Sequence, residues 1–225
     1  MMEWNGSEEQ LRQAVALIVK ELLAGQNTEA PQEVRLVPAG ISMRHVHLSR
    51  ADLNRLFGPS YMLTPLKELS QPGQFAAREY VDVIGPKGKL RQVRILGPLR
   101  RETQVELAQT DCRTIGVKAP VRASGNLSGT PGVRLKGPYG EIEIPCGVIV
   151  ADRHIHLSPA QAKAWGLADG DHVSVEIDGI KRGILRGVLI RSNPGAEMDF
   201  HIDTDDGNAF QLAQGQLVKI LGKED

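Results

Sequence analysis

Two six-residue segments repeat one pattern: Arg-His-Val-His-Leu-Ser at 44–49 and Arg-His-Ile-His-Leu-Ser at 153–158. Each follows an apolar run and precedes a short helical stretch. Residues two apart on a strand point to the same face, so His45 and His47 form one pair and His154 and His156 another. Two imidazoles on one strand face can grip a metal ion. The chain has six histidines, and four of them stand in these two segments. That concentration argues for ligation over scattered structural use. The third donor of each set emerges from the downstream halves. Residues 103–111 (TQVELAQTD) resemble 197–206 (EMDFHIDTDD), and setting VELAQTD on FHIDTDD brings Glu106 opposite His201. The expected sites are therefore His45, His47 and Glu106, and His154, His156 and His201. Three protein donors leave a coordination position open, as in catalytic zinc centres. Two zinc ions are the expected occupants, although nitrogen and carboxylate donors also suit cobalt, nickel, manganese or iron. His172 has no counterpart in the first copy and is read as structural. Asp203, Asp205 and Asp206 either orient the ligand histidines from behind or cap the helix that follows, and the cap is the preferred reading.

Arg100 and Arg101 directly precede the strand that carries Glu106. A guanidinium beside an open metal site is suited to binding phosphate through paired hydrogen bonds. Lys67, Lys87 and Arg94 add positive charge that can meet a phosphorylated cofactor. The chain lacks a P-loop spacing, a Gly-x-Gly-x-x-Gly fingerprint and a Gly-x-Ser-x-Gly elbow, so ATP, NAD and serine-hydrolase readings have no local support.

The elements that must position these groups are mostly strands. Alternation runs through 79–85 and 89–96, joined by Gly85-Pro86-Lys87-Gly88, and through 133–137 and 141–145, joined around Pro138-Tyr139-Gly140. Further strands are expected at 147–152, 172–178, 183–191, 197–203 and 216–221. Short helices are expected at 50–57, 111–116 and 159–166, with Ser49 and Ser158 as caps and Pro159 at the first helical position. Many short strands with few short helices predict closed or nearly closed β-barrels. An amino-terminal helix is predicted from Ser7, a cap with Gln10 at capping-box spacing, to Gly25, presenting Leu11, Val15, Ile18 and Leu22 on one face. The polar stretch 25–33 reads as a linker. Such a helix docks on its own domain, dimerises, or meets another protein.

The 225 residues carry 27 Lys+Arg and 27 Asp+Glu, so the balance is neutral and argues against a nucleic-acid partner. Aromatic residues make up 4%, too few for a base-stacking or carbohydrate-platform surface. No apolar run is long enough to span a membrane, and charges at Glu8, Glu9, Arg12 and Lys20 exclude a secretory signal. Two cysteines, Cys112 and Cys146, form no disulfide framework and suggest a reducing compartment.

The segments VPAGISMRHVHLS, LTPLKELSQPGQFA, GPLRRETQVELAQTD, VRASG, ADRHIHLSPAQA and MDFHIDTDDGNA together closely resemble the PduL-type phosphate acyltransferases. These are the phosphate propanoyltransferases of bacterial microcompartments. The resemblance runs from about residue 34 to the carboxyl terminus. It implies a mainly β, internally duplicated fold of two β-barrels capped by short helices, with residues 34–43 joining 152–222 in one barrel and 44–151 forming the other. Residues 1–33 stand apart as the amphipathic helix and linker. It also implies transfer of a short acyl group, propanoyl or acetyl, between coenzyme A and inorganic phosphate at a two-zinc site. Carried over by position, the six residues above hold the zinc ions and Arg100 binds phosphate. Ser42, Lys87, Arg94 and Asn208, with Ile41, Met43 and Lys67, contact coenzyme A. Ser124 matches a motif position without an assigned role. The resemblance further implies a homodimer in the microcompartment lumen or cytoplasm, with residues 7–24 meeting shell or lumen proteins. Two other functions are weighed: a dinuclear metal hydrolase of thioesters or phosphoesters, and a non-catalytic metal-binding microcompartment adaptor.

Overall fold

The two repeated segments end in helix caps. Ser49 Oγ accepts from the Asp52 amide at 3.1 Å and starts a helix at Arg50. Ser158 and Gln161 form a reciprocal capping box ahead of Pro159. The computed structural model describes residues 8–24 and 34–224. Its first half comprises α1 (Glu8–Ala24), β1 (Arg35–Ser42), β2 (His45–His47), α2 (Arg50–Phe57), β3 (Pro65–Glu68), β4 (Phe75–Ile84), β5 (Lys89–Gly97), β6 (Gln104–Glu106), α3 (Gln109–Ile115) and β7 (Val121–Arg122). There follow β8 (Val133–Lys136), β9 (Glu141–Ile144), β10 (Val148–Ala151), β11 (His154–Leu157), α4 (Pro159–Ala164), β12 (His172–Ile177), β13 (Gly183–Ser192), β14 (Asp199–Asp203), α5 (Thr204–Phe210) and β15 (Leu217–Lys223).

The protein is mainly β. One closed barrel runs β1-β14-β11-β13-β12-β15 and back to β1. β1 reaches it from far away in sequence, lying parallel to β14 and antiparallel to β15. Alternation along these strands sends Val37, Ile155, Val173, Val175, Val188, Phe200 and Val218 into one core. The remaining strands form a nine-stranded sheet in the order β7-β10-β6-β2-β5-β4-β8-β9, with β3 on β4, over a separate core of Val46, Val83, Ile95, Val105, Leu135 and their neighbours. Here the second barrel expected from the sequence stays a half-barrel. Its last strand, β9, pairs only with β8, and the turn between them is held by α2: the Tyr139 amide donates to the Leu56 carbonyl at 2.9 Å.

Ser7, Gly25 and the predicted linker 25–33 lie outside the described residues, as do the side chains of Leu11 and Leu22. α1 itself docks through a different face from the predicted one. Ala14 is buried and Leu17 packs with it against Leu36 and Leu217, while Val15 and Ile18 are 51% and 41% exposed. Gln10 Nε2 donates to the Gly215 carbonyl at 3.1 Å, and Lys20 pairs with Asp178 at 3.1 Å, which fixes that rotation of the helix. Among the described residues no helix is long and apolar enough to cross a membrane.

Candidate metal and anion site

β2 pairs antiparallel with β6 so that His45 faces Glu106 and His47 faces Gln104. β11 pairs antiparallel with β14 so that His154 faces His201 and His156 faces Asp199. The two pairings share one register, the one obtained by setting VELAQTD on FHIDTDD. In each half, the His-x-His strand and its antiparallel neighbour bring three donors to one sheet face, within 4.8 Å of one another.

In the sheet triad, His45 Nε2 lies 3.4 Å from Glu106 Oε2 and His47 Nε2 lies 3.6 Å from Glu106 Oε1. His45 Nδ1 donates to the Met43 carbonyl at 2.8 Å, and His47 Nδ1 to the Leu96 carbonyl at 3.2 Å. A proton held at Nδ1 leaves Nε2 with a free lone pair, the tautomer that ligates. All three side chains are buried. Burial opposes charge on His47 and takes its pKa down to about 4. At His45 burial acts in the same direction, yet Glu106 outweighs it and the pKa rises. Burial would raise Glu106, but His45 and His47 hold it well below the usual carboxylate range. The carboxylate thus draws positive charge into the space between the three donors.

In the barrel triad, His154 and His156 face each other with 3.1 Å between their Nε2 atoms. His154 Nδ1 donates to the Asp152 carbonyl at 2.8 Å, so its Nε2 carries a lone pair. His156 Nδ1 is buried and has no hydrogen-bond partner. Burial, reinforced by the neighbouring histidines, takes His154 to about 4 and His156 to about 3, so both are neutral near pH 7. Two imidazole nitrogens this close, one of them with a free lone pair, and a third imidazole beside them make a donor set that fits a metal ion. His201 Nε2 donates to Asp199 Oδ2 at 2.8 Å, a carboxylate–imidazole pair that fixes the ring. Gly40 on β1 lies beside His201, and a Cβ there would stand 2.7 Å from Asp199 Oδ1 and 2.9 Å from His201 Cδ2.

Both triads open into one cavity of about 890 Å³, lined from the sheet side by Arg100 and Ser124 and from the barrel side by Arg191. Burial lowers the pKa of Arg100 somewhat. Its Nη1 donates to Ser124 Oγ at 2.8 Å, and Ser124 donates to Glu106 Oε1 at 3.0 Å. Gln104 completes the net, donating to Ser124 at 2.9 Å and accepting from the Gly125 amide at 2.8 Å. Of the positions expected to meet coenzyme A, Ile41, Ser42, Met43, Lys67 and Arg94 line the cavity. Lys87 and Asn208 do not line it: Lys87 sits in the β4–β5 turn, with its amide on the Ile115 carbonyl at 2.9 Å, and Asn208 is exposed on α5. Arg94 stacks over the Tyr80 ring with its guanidinium carbon 4.2 Å from the centroid. His172, exposed on β12, belongs to neither triad.

Several site residues escaped the sequence reading. Gln104 and Asp199 each precede a third donor by two, so the strand period together with the repeat carried a signal for them. Asp203 caps α5 through the Asp206 amide at 2.9 Å, the preferred of its two readings, and Asp199 takes the orienting place. Ser70, 3.4 Å from His201 Nε2, lies in the loop between β3 and β4. Gln71 beside it donates to the Glu197 carbonyl at 2.8 Å and ties that loop to the barrel. Asp205 accepts from the Thr110 amide at 2.8 Å, so the barrel side caps α3, whose own Ala108 cannot.

A mainly β framework that brings two donor triads and two arginines to one cavity defines an enzyme site, and comparison with known proteins gives its class as an acyltransferase. The family model described as phosphate propanoyltransferase matches residues 38–213, and the chain belongs to that family. It is similar to the phosphate propanoyltransferase of Salmonella typhimurium, 50% identical over 193 residues, covering 84% of this chain and 91% of that protein. The Thermotoga maritima protein of the same name is 52% identical over 183 residues, covering 81% and 87%. That of Rhodobacter capsulatus is 46% identical over 203 residues, covering 90% and 94%.

Proposed function

We propose that the protein exchanges coenzyme A and inorganic phosphate on a short acyl group by direct transfer within a ternary complex, at a site holding two zinc ions. His45, His47 and Glu106 hold one ion, and His154, His156 and His201 the other. Bound zinc supplies a Lewis acid that favours thiolate over thiol and stabilises negative charge on oxygen. A phosphate oxygen forms a bond to the thioester carbonyl carbon, the C–S bond breaks, and the electron pair leaves on sulfur. The proton of hydrogen phosphate ends on coenzyme A. The supporting observation is that both triads and Arg100 face one shared cavity.

The chain's own residues orient and exclude. Backbone carbonyls of Met43, Leu96 and Asp152 hold three imidazoles in the ligating tautomer. Arg100, pinned by Ser124, offers a planar fork for two phosphate oxygens. Holding both reactants is a large part of the acceleration expected of such a site, roughly 7–11 kcal/mol for well-oriented partners. Lys67 and Arg94 supply positive charge along the cavity for the phosphates of coenzyme A. Ile41, Met43, Leu96 and Leu107 give it apolar wall against which water is excluded. No acyl-enzyme enters this route: Cys112 is buried with its thiol pushed up to about 11, and neither cysteine lines the cavity.

The test is coenzyme A release from propanoyl-CoA and acetyl-CoA by the zinc-loaded protein, with and without phosphate. Phosphate-dependent release with formation of acyl phosphate is expected. Equal release without phosphate establishes a thioester hydrolase, and no turnover by metal-loaded protein leaves a binding role only. Arg100→Ala should raise the KM for phosphate or lower kcat with metal content unchanged. The outward face of α1, with Val15 and Ile18 in solvent, is the proposed contact with microcompartment proteins. Deleting residues 1–30 should then abolish co-purification with shells.

A further inference from the structure

Arg191 is a charged group of the cavity that the proposed mechanism does not use. It stands on β13 in register with His156 of the parallel neighbour β11, and so presents its side chain beside the barrel triad. It lines the same cavity as Arg100. Among the described residues its side chain has no hydrogen-bonding or ion-pair partner. The nearby carboxylates are engaged elsewhere: Glu106 with His45, His47 and Ser124, and Asp199 with His201. Its charge is close enough to depress the basicity of His154, His156 and Arg100. Two guanidiniums aimed into one cavity repel each other, and metal ions in the triads would add to that repulsion. Glu106 offsets part of that repulsion at Arg100, and an anion seated between the two guanidiniums would relieve the rest.

Arg100 comes from the loop before β6, on the sheet, and Arg191 from the barrel, so they approach the cavity from opposite sides. The phosphates of coenzyme A lie a full pantetheine arm from the sulfur. With the thioester at the triads they cannot also reach Arg191. The anion that arrives at the triads themselves is inorganic phosphate. We propose that Arg191 is the second arm of a phosphate clamp, holding oxygens of the tetrahedral anion from the barrel side while Arg100 holds the others from the sheet side. The clamp rests on the phosphate acyltransferase reading above. It adds that phosphate links the two halves of the fold.

The experiment compares zinc-loaded full-length protein carrying Arg191→Gln, Arg191→Lys and Arg100→Gln with the parent. The readouts are KM for phosphate, KM for acyl-CoA, bound zinc by elemental analysis, and the rise in melting temperature on adding inorganic phosphate. Losing a charge-assisted contact predicts about a tenfold or greater rise in phosphate KM for Arg191→Gln. Acyl-CoA KM should stay within about twofold, the pattern of a lost contact to one substrate only. Zinc content should match the parent, and phosphate should stabilise the variant less. Arg191→Lys, which keeps charge without the fork, should fall between. If Arg191→Gln leaves phosphate KM unchanged while Arg100→Gln raises it, the clamp is refuted and the function stands. A rise in acyl-CoA KM instead, or loss of zinc, refutes it as well, by assigning Arg191 to the thioester or to the framework. Should Arg191→Gln not fold, a phosphate KM for Arg191→Lys equal to the parent's overturns the clamp. A parent enzyme that turns over without phosphate overturns the function itself.

Discussion

Gly40→Ala probes the barrel triad without touching a donor. Gly40 lies in β1, a strand paired with β14 on one side and β15 on the other, and stands opposite His201 in β14. An added Cβ would stand 2.9 Å from His201 Cδ2 and 2.7 Å from Asp199 Oδ1. Carbon–carbon contacts are comfortable from about 3.5 Å, so the His201 ring must retreat by about 0.6 Å. Metal–ligand distances tolerate only about 0.2 Å. Neither β1 nor β14 can move freely to absorb the difference, because each is locked to two neighbours. The expected result is loss of the ion held by His154, His156 and His201, with the ion held by His45, His47 and Glu106 retained. Turnover should collapse, while overpacking costs about 1–3 kcal/mol of stability. Elemental analysis, circular dichroism and thermal melting of the purified variant separate these effects. A folded Gly40→Ala protein with full metal content and parental activity would refute the reasoning, because it would mean that His201 is not held as a ligand by this packing.

Three further outcomes are expected. Asp205→Ala removes the acceptor for the Thr110 amide at the start of α3 and should cost about 1 kcal/mol, read as a fall in urea midpoint; no change would show that water replaces the cap. In chelator-treated protein, His47 and His154 titrate near 4 and His156 near 3, against 6.5 when unfolded. Between those values the unfolded chain binds more protons, so stability is fully present above about pH 6.5 and is lost as pH falls through 4; flat melting temperatures from pH 7 to 4 would contradict this. Finally, Cys112, buried and raised to about 11, should resist iodoacetamide in the native protein while the partly exposed Cys146 reacts, as peptide mass mapping would reveal.

The triads were legible because their signals are local. Period two on a strand places His45 with His47 and His154 with His156 whatever the rest of the chain does. The duplicated frame then pointed to Glu106 and His201. Caps at Ser49 and Ser158 were equally local, since the hydroxyl and the amide it accepts from are three residues apart. The rotation of α1 was not readable in this way, because a helix with apolar residues on more than one side is oriented by what it meets: Leu36 and Leu217 select Ala14 and Leu17 over Val15 and Ile18. The half-barrel was likewise not readable, because which strands meet is set by pairings between segments far apart in the chain.

By itself, the amino-acid sequence determined that this is a mainly β protein with two three-donor sets built on strand period, and that an arginine stands next to one of them. Only the tertiary structure decided that the two sets open into a single cavity, that Asp199 rather than its acidic neighbours holds His201, and that Arg191 joins Arg100 there. The reason is physical. Which residues share a strand face is settled within a few bonds, whereas register between strands tens of residues apart is settled by closing a barrel and burying two cores.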